Sequence, residues 1–155
     1  MCLEHSKRIF PKKDIKVYKV IMRDPFNDEL CSPLYVQNWE IGVAQRTKTY
    51  DANRSTIYNL SDYENMMVGG NAFHSFKKKS DAKRYAEAIA ANRNGNTSYE
   101  VVLARCTIPK ESIYTYKGDV SLGGLWMDGY ASQALVIDEV ISKKPFNVPS
   151  NVVYV

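Results

Sequence analysis

Histidine is nearly absent from this 155-residue chain, which holds only His5 and His74. A mechanism built on a triad of histidine metal ligands is therefore excluded, while single-histidine chemistry stays open. Cysteine is scarce as well. Cys2, Cys31 and Cys106 are odd in number, far apart and without CxxC or Cys/His spacing, so neither a disulfide framework nor a zinc site is expected, and a reducing compartment is. No run approaches the roughly 18 apolar residues of a membrane span. Residues 1–14 alternate charge with single apolar residues and lack the apolar stretch of a leader. The expectation is a cytoplasmic protein with no membrane partner. The phosphate-cradling loops G-x-x-x-x-G-K-[ST] and G-x-G-x-x-G are missing too, and neither a metal nor a cofactor is expected.

What is present is an ordinary globular mixture, 45% hydrophobic and 25% charged, which excludes a disordered chain. The length suits one domain over residues 1–155, with a core over 15–141 and terminal segments docked or frayed. The net charge of +4 is scattered apart from Lys12-Lys13, Lys77-Lys78-Lys79 and Lys143-Lys144. That falls short of the concentrated basic face of a nucleic-acid protein and supports only a weak preference for anions. Eleven tyrosines against five phenylalanines favour half-buried strands and clefts, since tyrosine joins a flat apolar body to a polar tip.

Residues 15–22 (I-K-V-Y-K-V-I-M) read as a strand that becomes fully buried at its end. A second extended stretch, 34–43, carries Trp39 and a glycine suited to a bulge. Residues 47–70 are polar and read as a surface segment with brief apolar runs at Ile57-Tyr58 and 66–68. A short strand at 72–76 precedes the clearest signal in the chain. Ser80 is placed as an N-cap with Asp81 in the first turn, and Ala82, Tyr85, Ala86, Ile89 and Ala90 repeat on one helical face until residues 92–96 stop it. Residues 99–108 form a strand with Val101, Leu103 and Arg105 on one face and Val102, Ala104, Cys106 and Ile108 on the other. A loop holding Gly118, Gly123, Gly124 and Gly129 around Trp126 and Met127 leads to a last strand at 134–141. An edge strand is expected at 152–155.

Several residues are candidates for chemistry. His74, on the same side of its strand as Phe76, either faces a cleft as a hydrogen-bonding or proton-transferring group or pairs with a backbone carbonyl. Cys2 is conceivable as an N-terminal thiol nucleophile, against which residues 3–8 look like a frayed terminus. Asp138 and Glu139 are adjacent on a strand, so they should point to opposite faces and form no acid/base dyad. Lys77–Lys79 before a helix N-terminus either hold a phosphate or make a solvated turn. Tyr114, Tyr116 and Tyr130 either stack a base or fill a core.

Val17-Tyr18-Lys19-Val20, Ala72-Phe73-His74-Ser75-Phe76 with Asp81-Ala82 and Tyr85, residues 101–109 (V-V-L-A-R-C-T-I-P) and residues 130–137 (Y-A-S-Q-A-L-V-I) occur in an order that resembles a group of small bacterial and phage proteins of unknown function. More distantly, Phe73 to Phe76 followed by Ser80 to Tyr85, with Glu139 as a late acid, is similar to the ADP-ribosyltransferase fold. That resemblance implies an α+β fold, a strand-rich split or half-barrel sheet with one main helix. It also implies a cleft in which Glu139 and His74 are the catalytic candidates. Tyr18, Lys19, His74, Ser75, Tyr85, Trp126, Tyr130 and Ser132 are the ligand-binding candidates. Lys19 stands where the fold carries histidine or arginine, and Ala72 where it carries glycine, which favours binding over turnover. The expected function is a small phage or mobile-element module binding a nucleotide-like ligand, sequestering a nucleotide signal in one version. The alternatives are a transferase or glycohydrolase acting on nicotinamide adenine dinucleotide, and a module that binds a host protein and no small ligand.

Overall fold

Alternation along β2 (Ile15–Arg23) divides Val17 and Ile21 from Val20 and Met22, and the sheet built on this strand has a separate apolar cluster on each face. The computed structural model describes residues 3–32, 38–47, 57–58, 66–68, 72–93, 99–142 and 144–146. The expected edge strand at 152–155, Cys2 and the helix stop at 94–96 lie outside them.

The other strands are β1 (Leu3–Ile9), β3 (Leu30–Cys31), β4 (Asn38–Trp39), β5 (Ala44–Arg46), β6 (Ile57–Tyr58), β7 (Met66–Val68), β8 (Phe73–Phe76), β9 (Glu100–Ile108), β10 (Thr115–Leu122), β11 (Leu125–Ser132) and β12 (Ala134–Val140). One helix, α1 (Lys79–Arg93), accompanies them among the described residues. The chain is α+β and strand-rich. Its sheet order is β5-β12-β9-β2-β8-β11-β10-β1-β7-β6, with β3 and β4 added beside β2. All pairs are antiparallel.

Two features shape this sheet. β2 pairs with β9 along its whole length, but on its other edge it meets β8 only at Tyr18↔Phe76 before turning to β3 at Met22 and Arg23. The two halves of the sheet are thus joined by one bridge and split on either side of it. In addition, β11 and β12 are linked through Gln133 alone although β8, β2 and β9 lie between them. Four strand spacings, roughly 19 Å, cannot be spanned by one residue. The sheet therefore rolls until those two ends meet, with its inner face collecting Ile9, Tyr130, Leu135, Ile137 and Trp39 into one cluster.

The outer face is covered by α1, which packs on β2, β8 and β9. Ala82, Ala86 and Ala90 are buried, and Tyr85 and Ile89 pack against the same cluster, as their spacing predicts. Tyr85 meets Phe76 with ring centroids 5.3 Å apart. Ser80 is not the N-cap. The helix begins at Lys79, and the Lys78 carbonyl accepts the first bond from Ala82 N at 3.2 Å, so Ser80 is an exposed residue inside the first turn. Asp81 does lie in that turn, 3.9 Å from Arg84. Ser80→Ala should accordingly lower the stability read from urea denaturation by less than about 0.5 kcal/mol, well short of the loss of a cap; a loss of about 1 kcal/mol or more would restore Ser80 to the capping role.

Three expectations are corrected. The frayed N-terminus is a strand: β1 pairs with β10 and β7, and Leu3 and Ser6 are fully buried. The glycine-rich loop is the β10–β11 hairpin, turned at Gly123-Gly124 with φ of 55° and 85°, as a two-residue turn of primed type requires. The stretch at 34–43 is not one strand. Within its described part, β4 ends at Trp39, and Gly42, at φ 82°, lies in the turn before β5.

Candidate ligand-binding site

Lys19 belongs to the inner face, beside Val17 and Ile21 and opposite Ala104. Its ammonium is buried and donates to the His74 carbonyl at 2.7 Å, across the split between β2 and β8. Among the described residues no carboxylate pairs with it. Burial lowers its pKa to about 8, with the nearby Cys106 thiol acting weakly in the opposite sense. It stays mostly protonated at neutral pH, a buried cation without a counter-ion among the described residues. Cys106 on the adjoining strand is pushed up to about 12, first by burial, so its thiol is not a nucleophile at neutral pH.

One residue beyond that carbonyl lies Ser75, fully buried, whose Oγ has no hydrogen-bond partner among the described residues. Such a hydroxyl costs about 1–3 kcal/mol in desolvation. Ser75 stands opposite Tyr130, and Phe73 opposite Ser132, which in turn faces Thr115. Thr115 Oγ1 is a second buried hydroxyl without a hydrogen-bond partner among the described residues, whereas Ser132 Oγ donates to the Ala134 carbonyl at 2.8 Å. Burial raises the pKa of Tyr130, with the Asp128 charge adding to it. Phe73 is partly exposed and stacks at a tilt on Trp39, centroids 5.0 Å apart. The inner face thus brings onto one side of the sheet a buried cation, two buried hydroxyls without a hydrogen-bond partner among the described residues, and aromatic surface.

The outer face holds the remaining candidates. Tyr18, partly buried, lies between Arg105 and Phe76. His74 is buried, with Nδ1 3.1 Å from the Ala72 carbonyl. Its orientation on the side of Phe76 follows from the register of β8 with β11. Glu139 is half-exposed and bound to Arg105 at 2.6 Å. Asp138 does not point away from it. A bulge between Ile137 and Glu139 turns Asp138 to the same face, where Thr107 Oγ1 donates to it at 2.6 Å and Lys16 lies 3.6 Å away. The alternation that should have separated the two acids is broken by the extra residue.

The single cleft expected from the sequence is therefore divided. Lys19, Ser75, Tyr130 and Ser132 come together on the inner face; Tyr18, His74, Tyr85 and Glu139 are on the outer one. Neighbours in a strand, Tyr18 and Lys19 or His74 and Ser75, cannot line one wall. Glu139 and His74 are not brought together either: their strands are three places apart, roughly 14 Å. Trp126 sits near the hairpin tip, half-exposed, against His5 at 5.2 Å. Thr115, Phe73 and Trp39 were missed because only strand register and tertiary packing place them on the same face as Lys19. No cluster of three or more potential metal ligands occurs among the described residues, and no helix among them is long and apolar enough to cross a membrane. Comparison with protein-family models, curated proteins and solved structures returns no match.

Proposed function

We propose that this chain is a binding module for a nucleotide-like ligand, with a phosphate at Lys19 and Ser75 and the base against Tyr130, Phe73 and Trp39, in a split sheet of ADP-ribosyltransferase type. The observation that carries the reading is the buried Lys19 ammonium, unmatched by any carboxylate among the described residues, bound to the carbonyl one residue before a buried Ser75 hydroxyl that has no hydrogen-bond partner among them. An unpaired buried charge is costly, and an anion arriving there would satisfy both groups at once. Binding is favoured over transfer because Glu139 is engaged by Arg105 and remote from His74.

Calorimetric titration with adenosine monophosphate, adenosine diphosphate ribose and nicotinamide adenine dinucleotide tests this. Lys19→Met should weaken binding by about 10–150-fold, the equivalent of one charge-assisted hydrogen bond of 1.5–3 kcal/mol. Glu139→Gln should change it by no more than a few-fold, and the wild type should release no nicotinamide. Equal affinity in wild type and Lys19→Met would overturn the assignment, and nicotinamide release that disappears in Glu139→Gln would put a transferase in its place.

A further inference from the structure

Cross-strand register extends the inner-face site outward. Ser75 stands opposite Tyr130, Tyr130 opposite Lys117, and Lys117 opposite Lys7, so one row runs Ser75, Tyr130, Lys117, Lys7 across β8, β11, β10 and β1, and Lys19 on β2 reaches its inner end through the bond to the His74 carbonyl. Residues directly opposite in antiparallel strands share a face. From Ser75 outward burial falls, with Ser75 0% exposed, Tyr130 7%, Lys117 intermediate and Lys7 exposed, while Lys19 beyond Ser75 is 9% exposed. Two like charges directly opposite each other, Lys7 and Lys117, destabilise a sheet, and neither forms an ion pair among the described residues. The acids of the adjoining row are already engaged, Asp119 with His5 at 3.5 Å and Asp128 with Lys78 at 4.0 Å. The row has a buried positive end, an exposed positive end and hydroxyls between them.

We infer that this row takes an elongated ligand with two separated anionic groups, one at Lys19 and Ser75 and the other at Lys117 and Lys7, so that the chain selects a linear dinucleotide-like molecule over a mononucleotide. Lys19 and Lys117 are three strands apart, roughly 14 Å along the sheet. A single phosphate cluster cannot meet both. The inference rests on the proposed nucleotide reading and adds a second anchoring point to it. The exposed pair also supplies long-range attraction, which concentrates a polyanion at the open end before it reaches the buried one.

The test compares adenosine monophosphate with the 5′-phosphorylated dinucleotide pApA by titration at 50 and 200 mM salt. The dinucleotide should bind at least tenfold more tightly, with the steeper salt dependence of a ligand neutralising more cations. Lys7→Gln with Lys117→Gln should abolish that advantage and weaken the monophosphate by no more than a few-fold, the share owed to long-range attraction, whereas Lys19→Met should weaken both strongly. Lys117→Ala alone, with an unchanged melting temperature, should remove part of the advantage and guards against misfolding of the double variant. Equal affinity for the two ligands, or a dinucleotide advantage that survives in the double variant, would overturn the inference while leaving the Lys19 site standing. Binding of neither ligand would remove both.

Discussion

Gly118→Ala should destabilise the protein by about 3 kcal/mol, at the upper end of what an added methyl costs in a packed interior. Gly118 and Gly129 face each other across β10 and β11 on the side that Leu3 covers. A Cβ at 118 would lie 2.6 Å from the Glu4 carbonyl oxygen and 2.9 Å from Ser6 Cα, both backbone atoms, and 3.0 Å from Leu3 Cγ. Flexible side-chain ends can move aside, but a paired strand moves only as a unit. β1 is held to β10 by pairs on either side of an irregularity at which His5 has φ 50°, so the bulge already places its backbone close to the glycine. The expected result is a melting temperature lower by about 6–12 °C, with residues 3–9 the first to lose protection from hydrogen exchange. Gly123→Ala is the control. It has φ 55° and nothing within 4 Å of the added atom, so only the left-handed backbone conformation is penalised, by about 1–2 kcal/mol. If the two variants lose the same stability, crowding by β1 is not what requires Gly118.

The same residues explain what could be read from the chain in advance. Helix α1 and the two faces of β9 were legible because their information is local: residues spaced three and four apart, or alternating, declare their own faces. β1 was not, since its buried positions, Leu3 and Ser6, are three apart in a strand, a spacing that only the bulge at His5 makes possible. The β10–β11 hairpin looked like a loop because glycine is a poor strand residue, and its reason for being there, the close passage of β1, is a tertiary one. Asp138 shows the same limit, since the bulge that turns it beside Glu139 leaves no mark in the local pattern. For the site, alternation alone separates Tyr18 from Lys19 and His74 from Ser75. Which strands then stand beside them depends on long-range register, and Lys117 and Lys7 fall into line with Ser75 only through it.

Lys19 should also give the protein an unusual dependence on pH. Its folded pKa of about 8 lies below the ordinary 10.5, so the native state resists holding that proton. Below about pH 8 both folded and unfolded chains carry the charge and the full cost is present. Between 8 and 10.5 the native state loses the proton first, the unfolded chain binds more protons, and stability rises with pH. The whole interval corresponds to about 3 kcal/mol at 1.36 kcal/mol per unit. Cys106 acts in the opposite direction over a different window: from its ordinary 9.0 to about 12 the unfolded thiol ionises first, and stability falls. The two oppose each other between 9 and 10.5, and the buried tyrosines Tyr85 and Tyr130, whose pKa values are raised, add to the fall above 10. Urea denaturation of the wild type should therefore show a rise from pH 8 to 9, little change to 10.5 and a decline beyond. Lys19→Met, close to lysine in volume and without a charge to desolvate, should be more stable than wild type at pH 7, lack the rise, and lose its advantage progressively by pH 10.5. That excess stability is what sets a lysine kept for a ligand apart from one kept for the fold. A Lys19→Met variant less stable than wild type at pH 7, or curves for the two proteins that run parallel from pH 7 to 10.5, would mean that the ammonium is matched within the chain and has no need of an incoming anion.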